Sequence, residues 1–325
     1  MKNDVQQDAG ASWMYYMRNG DFETAWKISD DVMQSRAGKP CWHLPRHYQY
    51  SWDGSPLEQK RVLVKCYHGL GDTIQFIRYA PLLNEVAAKV IVWAQEPLIP
   101  LLKTVEGIDE LLPLHDGVPD VEYDVDVEVM ELPHIFRSTI ASLPVSIPYI
   151  HVEPLPLSNN KKHVSVGLVW KPGDWAPFRS IPFSTLEPLA RVEGIQLYIL
   201  QADAELAGWR EGFGNHPGEF SLYDYARVIK GLDLLISVDS MPVHLAGALG
   251  VPVWTLLHAE ADWRWMDNRE DSPWYPTMHL FRQKQPGDWL PVIDSVCGAL
   301  QTFVKDLIAR KVFREKYSFS LVRNV

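Results

Sequence analysis

Hydrophobic positions along the chain fall into two regimes. From residue 11 to about 60 they recur at helical spacing. Trp13, Tyr16 and Met17 form a stripe that stops at Asn19-Gly20, and Asp21 then caps a second stripe of Phe22, Ala25, Trp26 and Ile28. The spacing predicts one helical hairpin. From Arg61 short apolar runs alternate with amphipathic segments: Val62–Val64, Ile74–Leu83, Val90–Trp93 and Leu98–Leu102. That alternation predicts βαβ units around a parallel sheet. Pro144, Pro148, Pro154 and Pro156, followed by Asn159-Asn160, break the pattern and predict a linker. A second series follows, with strands at Val164–Val169, Leu197–Leu200, Leu234–Val238 and Val253–Leu257. Its helices are expected from Ser221 to Lys230, ended by Gly231, and from Pro242 to Leu249, ended by Gly250. A last helix starts near Asp288, with Trp289, Val292, Ile293, Val296, Leu300, Phe303, Val304, Leu307 and Ile308 on one face. The expected organisation is a helical extension at 1–58, α/β domains at 59–152 and 153–290, and a terminal helix and tail at 291–325.

Composition narrows the function classes. With 31 Lys and Arg against 41 Asp and Glu the net charge is −10, the wrong sign for neutralising phosphates along a nucleic acid, and no nucleic-acid partner is expected. Three scattered cysteines, Cys41, Cys66 and Cys297, support neither a disulfide framework nor a CxxC metal site, which favours a cytoplasmic setting. The first residues, Met1-Lys2-Asn3-Asp4, are polar where a secretory signal places apolar ones. Apolar runs such as Val251–Leu257 fall far short of the roughly 20 residues of a spanning helix. The basic tail with Lys311, Arg314, Lys316 and Arg323 permits peripheral contact with anionic lipid, although a solvated terminus is the favoured explanation.

Ligands of open α/β sheets sit outside the carboxyl ends of the strands, so the loops that follow strands carry the candidate chemistry. In Tyr67-His68-Gly69-Leu70-Gly71-Asp72, Gly69 and Gly71 permit tight backbone geometry and close approach of a ligand. Asp72 is either a helix cap or a carboxylate facing a cleft as general base. After the first strand of the second domain, Lys171 and Arg179 are cations in reach of a diphosphate, with solvated surface charge as the plain alternative. After Leu234–Val238 come Asp239, Ser240, Met241 and Pro242. Proline suits the first turn of a helix, whose unpaired amides form an anion site, and Asp239 is placed to accept ribose hydroxyls. His244, inside that helix, reads first as a packed residue.

Taken together these loops resemble a family. The run Gly69-Leu70-Gly71-Asp72-Thr73-Ile74-Gln75-Phe76 is similar to glycosyltransferase family 9, as are Val166–Trp170 with Arg179-Ser180-Ile181-Pro182 and Ser237-Val238-Asp239 with His244–Gly250. Asp262-Trp263-Arg264-Trp265 and Ser272-Pro273-Trp274-Tyr275-Pro276 resemble the late signature of the heptosyltransferase-like domains found behind tetratricopeptide repeats. The N-terminal hairpin itself looks like one such repeat, without a second copy. The resemblance covers roughly residues 55 to 297.

What the resemblance implies is an α/β GT-B fold: two Rossmann-like domains facing a cleft, with the N-terminal helical hairpin as an extension. It implies a nucleoside diphosphate sugar held by the C-terminal domain, an acceptor from the N-terminal one, inversion at the anomeric carbon, and no cofactor or metal. Asp72 becomes the base that deprotonates the acceptor. Lys171, Arg179, Ser240 and Met241 become diphosphate contacts, Asp239 takes the nucleoside position, and Gln201 and His244 are further donor-site candidates. The acceptor is left open among saccharide, lipid-linked glycan and protein. Two rival functions also stay open: a nucleotide-sugar epimerase, and a catalytically silent nucleotide-sugar-binding or scaffold protein. Lys171-Pro172 departs from the small residues usual in the family, and Tyr123–Glu128 is unusually acidic, which an edge strand facing water would explain. Most of the 13 Trp are expected in the core, and Trp263, Trp265 and Trp274, placed in a loop by Gly, Pro and charged neighbours, are the ones to test as sugar-stacking platforms.

Overall fold

The computed structural model describes residues 2–321 apart from 40, 42–43, 47–48, 50, 158–162 and 174–175, with side chains described between 9 and 309. Asn159-Asn160, Asp174 and Arg323, and the side chains of Lys311, Arg314 and Lys316, lie outside the described residues.

Two parallel sheets carry the chain. The first contains β1 (Arg61–Lys65), β2 (Lys89–Ala94), β3 (Glu110–Pro113) and β4 (Val125–Glu128) in the order β3-β2-β1-β4. The second contains β5 (Val164–Val169), β6 (Ile195–Ile199), β7 (Leu234–Val238), β8 (Val253–Leu257) and β9 (Met278–Arg282) in the order β6-β5-β7-β8-β9. The central strands β1, β5, β7 and β8 are buried along nearly their whole length, as expected of parallel strands covered on both faces. Their Val, Leu and Ile side chains therefore fall on both faces, interrupted only by Ser165, Gly167, Ser237, Trp254 and Thr255.

The helices are α1 (Lys2–Arg18), α2 (Phe22–Arg36), α3 (Leu70–Phe76), α4 (Ala80–Val86), α5 (Ile99–Leu102), α6 (Leu132–Ile135), α7 (Leu222–Lys230), α8 (Met241–Ala248) and α9 (Leu290–Leu321). The apolar run 74–83 is split between α3 and α4 by a 3-10 turn at Ile77–Tyr79. The hairpin forms as the pattern predicts. Gly20 takes φ +79°, which glycine adopts at little cost, and the Asp21 carboxylate accepts from the Thr24 amide at 3.1 Å to cap α2. Ser221 caps α7 in the same way, accepting from Asp224 N at 3.1 Å.

The hairpin packs on both lobes. Trp26 Nε1 donates to Ser138 O at 2.7 Å, and Asp30 accepts from Arg137 at 2.7 and 2.9 Å in the first lobe. Arg18 pairs with Asp267 at 2.8 Å in the second. Trp13 meets Trp263 edge-on with centroids 5.3 Å apart, and Phe22 stacks on Trp274 at 6.3 Å. Trp263, Trp265 and Trp274 are thus buried in an aromatic cluster where hairpin and lobes meet, and are not exposed stacking platforms. Their loop is lined on all sides by other rings, which the local sequence around them does not reveal.

The acidic strand Val125–Glu128 is the edge strand β4. Asp124 and Asp126 lie outward and pair with Arg61 and Lys65. Glu128, at the strand end, is buried instead, with 4% of its surface exposed. No described helix is long and apolar enough to cross a membrane.

Candidate active site

The lobes touch through α3 and α8. Gly71 makes this possible: a Cβ there would lie 2.9 Å from His244 Cδ2 and 3.4 Å from Met241 Cα. Neither Gly69 nor Gly71 has a positive φ, so neither serves an unusual backbone turn, and Gly71 serves close helix packing across the cleft. Gly71→Ala is expected to push α8 away and cost about 1–3 kcal/mol. Thermal unfolding checks the stability loss, and ADP calorimetry checks whether displacement of Met241 weakens nucleotide binding.

Asp72 caps a helix and also faces the cleft. Its Oδ2 accepts from the Gly69 amide at 2.9 Å, closing a capping box at the start of α3. The same carboxylate lines a cavity of about 250 Å³ between the lobes, with Gly69, Gly71, Arg179, Asp239 and His244 also in its wall. Its Oδ1 accepts from Arg264 Nη2 at 2.6 Å. Each carboxylate oxygen has two lone pairs, so these bonds leave acceptor capacity on both.

Arg264 is the hub that the sequence reading passed over. Nη1 donates to Asp262 at 2.9 Å and Nε to Gln75 Oε1 at 2.8 Å. One buried guanidinium thereby joins Asp72 and Gln75 of the first lobe to Asp262 of the second. Burial opposes its charge, yet Asp262 and Asp72 hold its pKa above the ordinary arginine value. The faces of Phe76 and Trp263 lie 5.3 and 4.9 Å from its charge centre. The signal was present in Asp262-Trp263-Arg264-Trp265, since a charged pair between large aromatics is poorly explained by a solvated loop.

On the donor side, a cavity of about 480 Å³ is lined by Lys171, Gly173, Gln201, Phe220, Tyr225 and the start of α8. Gln201 holds its floor: Oε1 accepts the amides of Trp170 at 3.1 Å and Lys171 at 2.8 Å, while Nε2 donates to Ala202 O at 3.0 Å. Gln201 therefore shapes the loop after β5 as well as facing the cavity. Gly173, Ser240 and Met241 line both cavities and join them. Ser240 is the extended N-cap of α8 and its side chain makes no capping bond, so the positive end of the helix stands at the junction.

Arg179 and Asp239 are paired with each other at 3.0 Å and line the smaller cavity. Asp239 is not in the described wall of the larger cavity where ribose contact was expected. Burial raises the Asp239 pKa, and the Arg179 charge works against that rise. Lys171 and Arg179, both expected within reach of a diphosphate, flank the junction from opposite cavities.

His244 is both packed and cleft-lining. Its ring stacks on Trp265 at 5.3 Å and its Nδ1 lies 3.1 Å from the Tyr275 hydroxyl. Burial, reinforced by Arg264 and Arg78, pushes its pKa well below the ordinary imidazole value, so it is neutral at pH 7. Among the described residues no three His, Cys, Asp or Glu side chains are grouped as a metal site needs.

Two open parallel-sheet lobes meeting across a cleft at the carboxyl ends of their strands define a GT-B architecture. Residues 202–286 match the sequence model of glycosyltransferase family 9 (heptosyltransferase). The fold is shared with the glycosyl transferase family 9 from Veillonella parvula DSM 2008, with a TM-score of 0.57 at 15% identity over 78% of this chain and 99% of that one. The iron-containing dodecameric glycosyltransferase TibC from enterotoxigenic E. coli H10407 aligns with a TM-score of 0.52 at 14% identity, covering 79% and 78%. The E. coli ADP-heptose LPS heptosyltransferase II aligns at 0.50 and 15% identity, covering 77% and 99%. Protein FlbA of Caulobacter vibrioides is 25% identical over 288 residues, or 78% of this chain. The chain spans about half the length of that curated relative, 48%.

Proposed function

We propose that the chain transfers a sugar from a nucleoside diphosphate to an acceptor hydroxyl, with inversion and without a metal. The observation that carries this reading is the junction of the two cavities at Gly173, Ser240 and Met241, with Asp72 in the opposite wall. The nucleoside occupies the larger cavity, whose volume lies in the range of small-ligand sites. The diphosphate lies over the start of α8 between Lys171 and Arg179, and the sugar enters the smaller cavity against Asp72.

In the reaction the acceptor oxygen bonds to the anomeric carbon from the face opposite the diphosphate. The bond from that carbon to the leaving phosphate oxygen breaks, and the hydroxyl proton passes to the Asp72 carboxylate. Negative charge grows on the diphosphate, where the helix N-terminus and Lys171 stabilise it most in the transition state.

ADP-heptose is the first donor to test, because two proteins sharing the fold, heptosyltransferase II and TibC of E. coli, are named with that donor. Calorimetry with ADP, GDP and UDP identifies the base, and acceptor-free hydrolysis of ADP-heptose reads the chemistry. Lys171→Ala is expected to weaken binding of the preferred diphosphate about 10-fold or more, as loss of a charged hydrogen bond predicts. Absence of binding by all three diphosphates would overturn the reading. Binding without hydrolysis or transfer would favour a silent nucleotide-sugar-binding protein, and conversion of the donor sugar without acceptor would favour an epimerase.

A further inference from the structure

Leu206 lines the larger cavity, yet 85% of its surface is exposed. It lies in the turn at 203–208 that follows β6, and that turn is fixed at several points. Ala207 N donates to Asp203 O at 2.9 Å, Gly208 N to Glu205 O at 3.0 Å and Trp209 N to Ala204 O at 2.9 Å. Asp203 at φ +48° and Gly208 at φ +95° both take left-handed backbone, which aspartate and glycine tolerate. Ala204 is buried. The buried Trp170 ties the turn to the loop after β5: its Nε1 donates to Ala207 O at 3.0 Å, and its amide donates to Gln201 Oε1 at 3.1 Å. The backbone that carries Leu206 is thus held to the same floor as Lys171. Other apolar side chains of that wall are covered from behind. Val169 and Leu200 are buried, and Phe220, Leu222 and Tyr225 pack against the core. Leu206 stands out from them with its side chain in water.

We propose that Leu206 is a binding residue for the donor base: a planar base in the larger cavity covers the Leu206 side chain, and Phe220 and Tyr225 complete an apolar slot around it. The proposal rests on the reading that the nucleoside occupies this cavity, and deepens it. Leu206 lines the larger cavity and is not in the described wall of the smaller one, so it meets the donor on the nucleoside side of the diphosphate. The faces of a base are apolar and its polar atoms lie at the edge. Contact between a face and an aliphatic side chain therefore removes area from water without needing a hydrogen bond. Because the turn is already fixed, binding orders little further backbone, and most of the gain from burying the leucine appears as affinity. That gain is non-directional. Leu206 thus strengthens binding of any nucleotide over bare pyrophosphate, and leaves the choice among bases to polar groups of the cavity.

The test combines calorimetry and methyl NMR of the full chain. ADP, GDP and UDP are titrated in turn, and the one bound most tightly is compared with pyrophosphate. Leu206→Ala is expected to weaken that nucleotide about tenfold, the loss when most of a leucine side chain no longer leaves water on binding. Its affinity for pyrophosphate should stay within about twofold of wild type. Leu206→Met, which keeps the apolar bulk, should bind the nucleotide within about threefold of wild type. Since the side chain is exposed, Leu206→Ala without ligand should unfold within about 2 °C of wild type. In wild type with ¹³C-labelled leucine methyls, the Leu206 pair is assigned by its loss in Leu206→Ala. The nucleotide should move that pair upfield through the ring current of the base, and pyrophosphate should leave it in place. A bound nucleotide that leaves the Leu206 methyls unmoved would overturn the proposal while the nucleotide site stands. So would nucleotide affinity unchanged in Leu206→Ala, or equal losses for nucleotide and pyrophosphate. Absence of binding by all three nucleotides would overturn the reading of the cavity and the proposal with it.

Discussion

Asp72→Asn is expected to lower the rate of sugar transfer roughly 10²–10⁴-fold, the span attributed to general base catalysis, while leaving nucleotide affinity close to wild type. The asparagine keeps the shape of the side chain and one of its two acceptor oxygens. It satisfies Gly69 N or Arg264 Nη2 fully, and meets the other with an amide NH₂. A stability loss of about 1 kcal/mol from the weakened cap therefore accompanies the rate loss, and is too small to unfold the chain. The two effects separate cleanly: ADP calorimetry and thermal unfolding report the fold and donor site, and hydrolysis of ADP-heptose reports the base. Hydrolysis at the wild-type rate by folded Asp72→Asn would remove Asp72 from the mechanism.

The parts of this site that were readable from the chain are those built from consecutive residues. The strands β1, β5, β7 and β8 carry Val, Leu and Ile on both faces because both faces are covered, and such segments stand out without alignment. The start of α8 is announced by Ser240-Met241-Pro242, and Asp72 by its place after two glycines. Contacts between lobes leave no such local trace. Arg264 and Asp72 are 192 positions apart, and nothing in the spacing of either shows that one guanidinium serves three acceptors. The same limit explains the tryptophans. Trp263 and Trp274 have loop-like neighbours in sequence, but Trp13 and Phe22 of the hairpin close over them in space. Glu128 was hidden differently: Asp124 and Asp126, four and two residues before it, face outward along the edge strand. The turn that begins at Val129 draws the last acid of the series inward, where Met130 N caps onto it.

The hairpin gives these long-range contacts a structural role. By holding Ser138, Asp30's partner Arg137, and Asp267 at once, it ties the two lobes along an edge away from the donor cavity. Arg78 makes a second tie, donating from the first lobe to Trp274 O at 2.5 Å while its charge lies 4.4 Å from the Tyr275 ring centre. The lobes are therefore joined by buried polar groups at the cleft and by aromatic packing behind it. This division places the least replaceable contacts beside the reacting groups.

Arg264→Met should show how much of that union rests on one charge. The substitution keeps much of the volume and removes the only group bridging Asp72, Gln75 and Asp262 among the described contacts. Asp262 is then left ionised in a buried setting, where the Arg264 charge had held its pKa below the ordinary value against the opposing effect of burial. Breaking a buried pair in this way costs about 3–5 kcal/mol, a drop in Tm on the order of 10 °C for a chain of this size. Arg264→Lys should rescue little of it, because a single ammonium cannot present three donors in the planar fork that the site uses. Adding Asp262→Asn to Arg264→Met should recover part of the loss, since the uncompensated charge is then gone, and the pair of substitutions will be far from additive. Thermal unfolding of wild type, Arg264→Met, Arg264→Lys, Asp262→Asn and the double variant tests the whole argument: a wild-type Tm for Arg264→Met, or additive losses in the double variant, would mean that the aromatic cluster rather than the guanidinium holds the lobes in register.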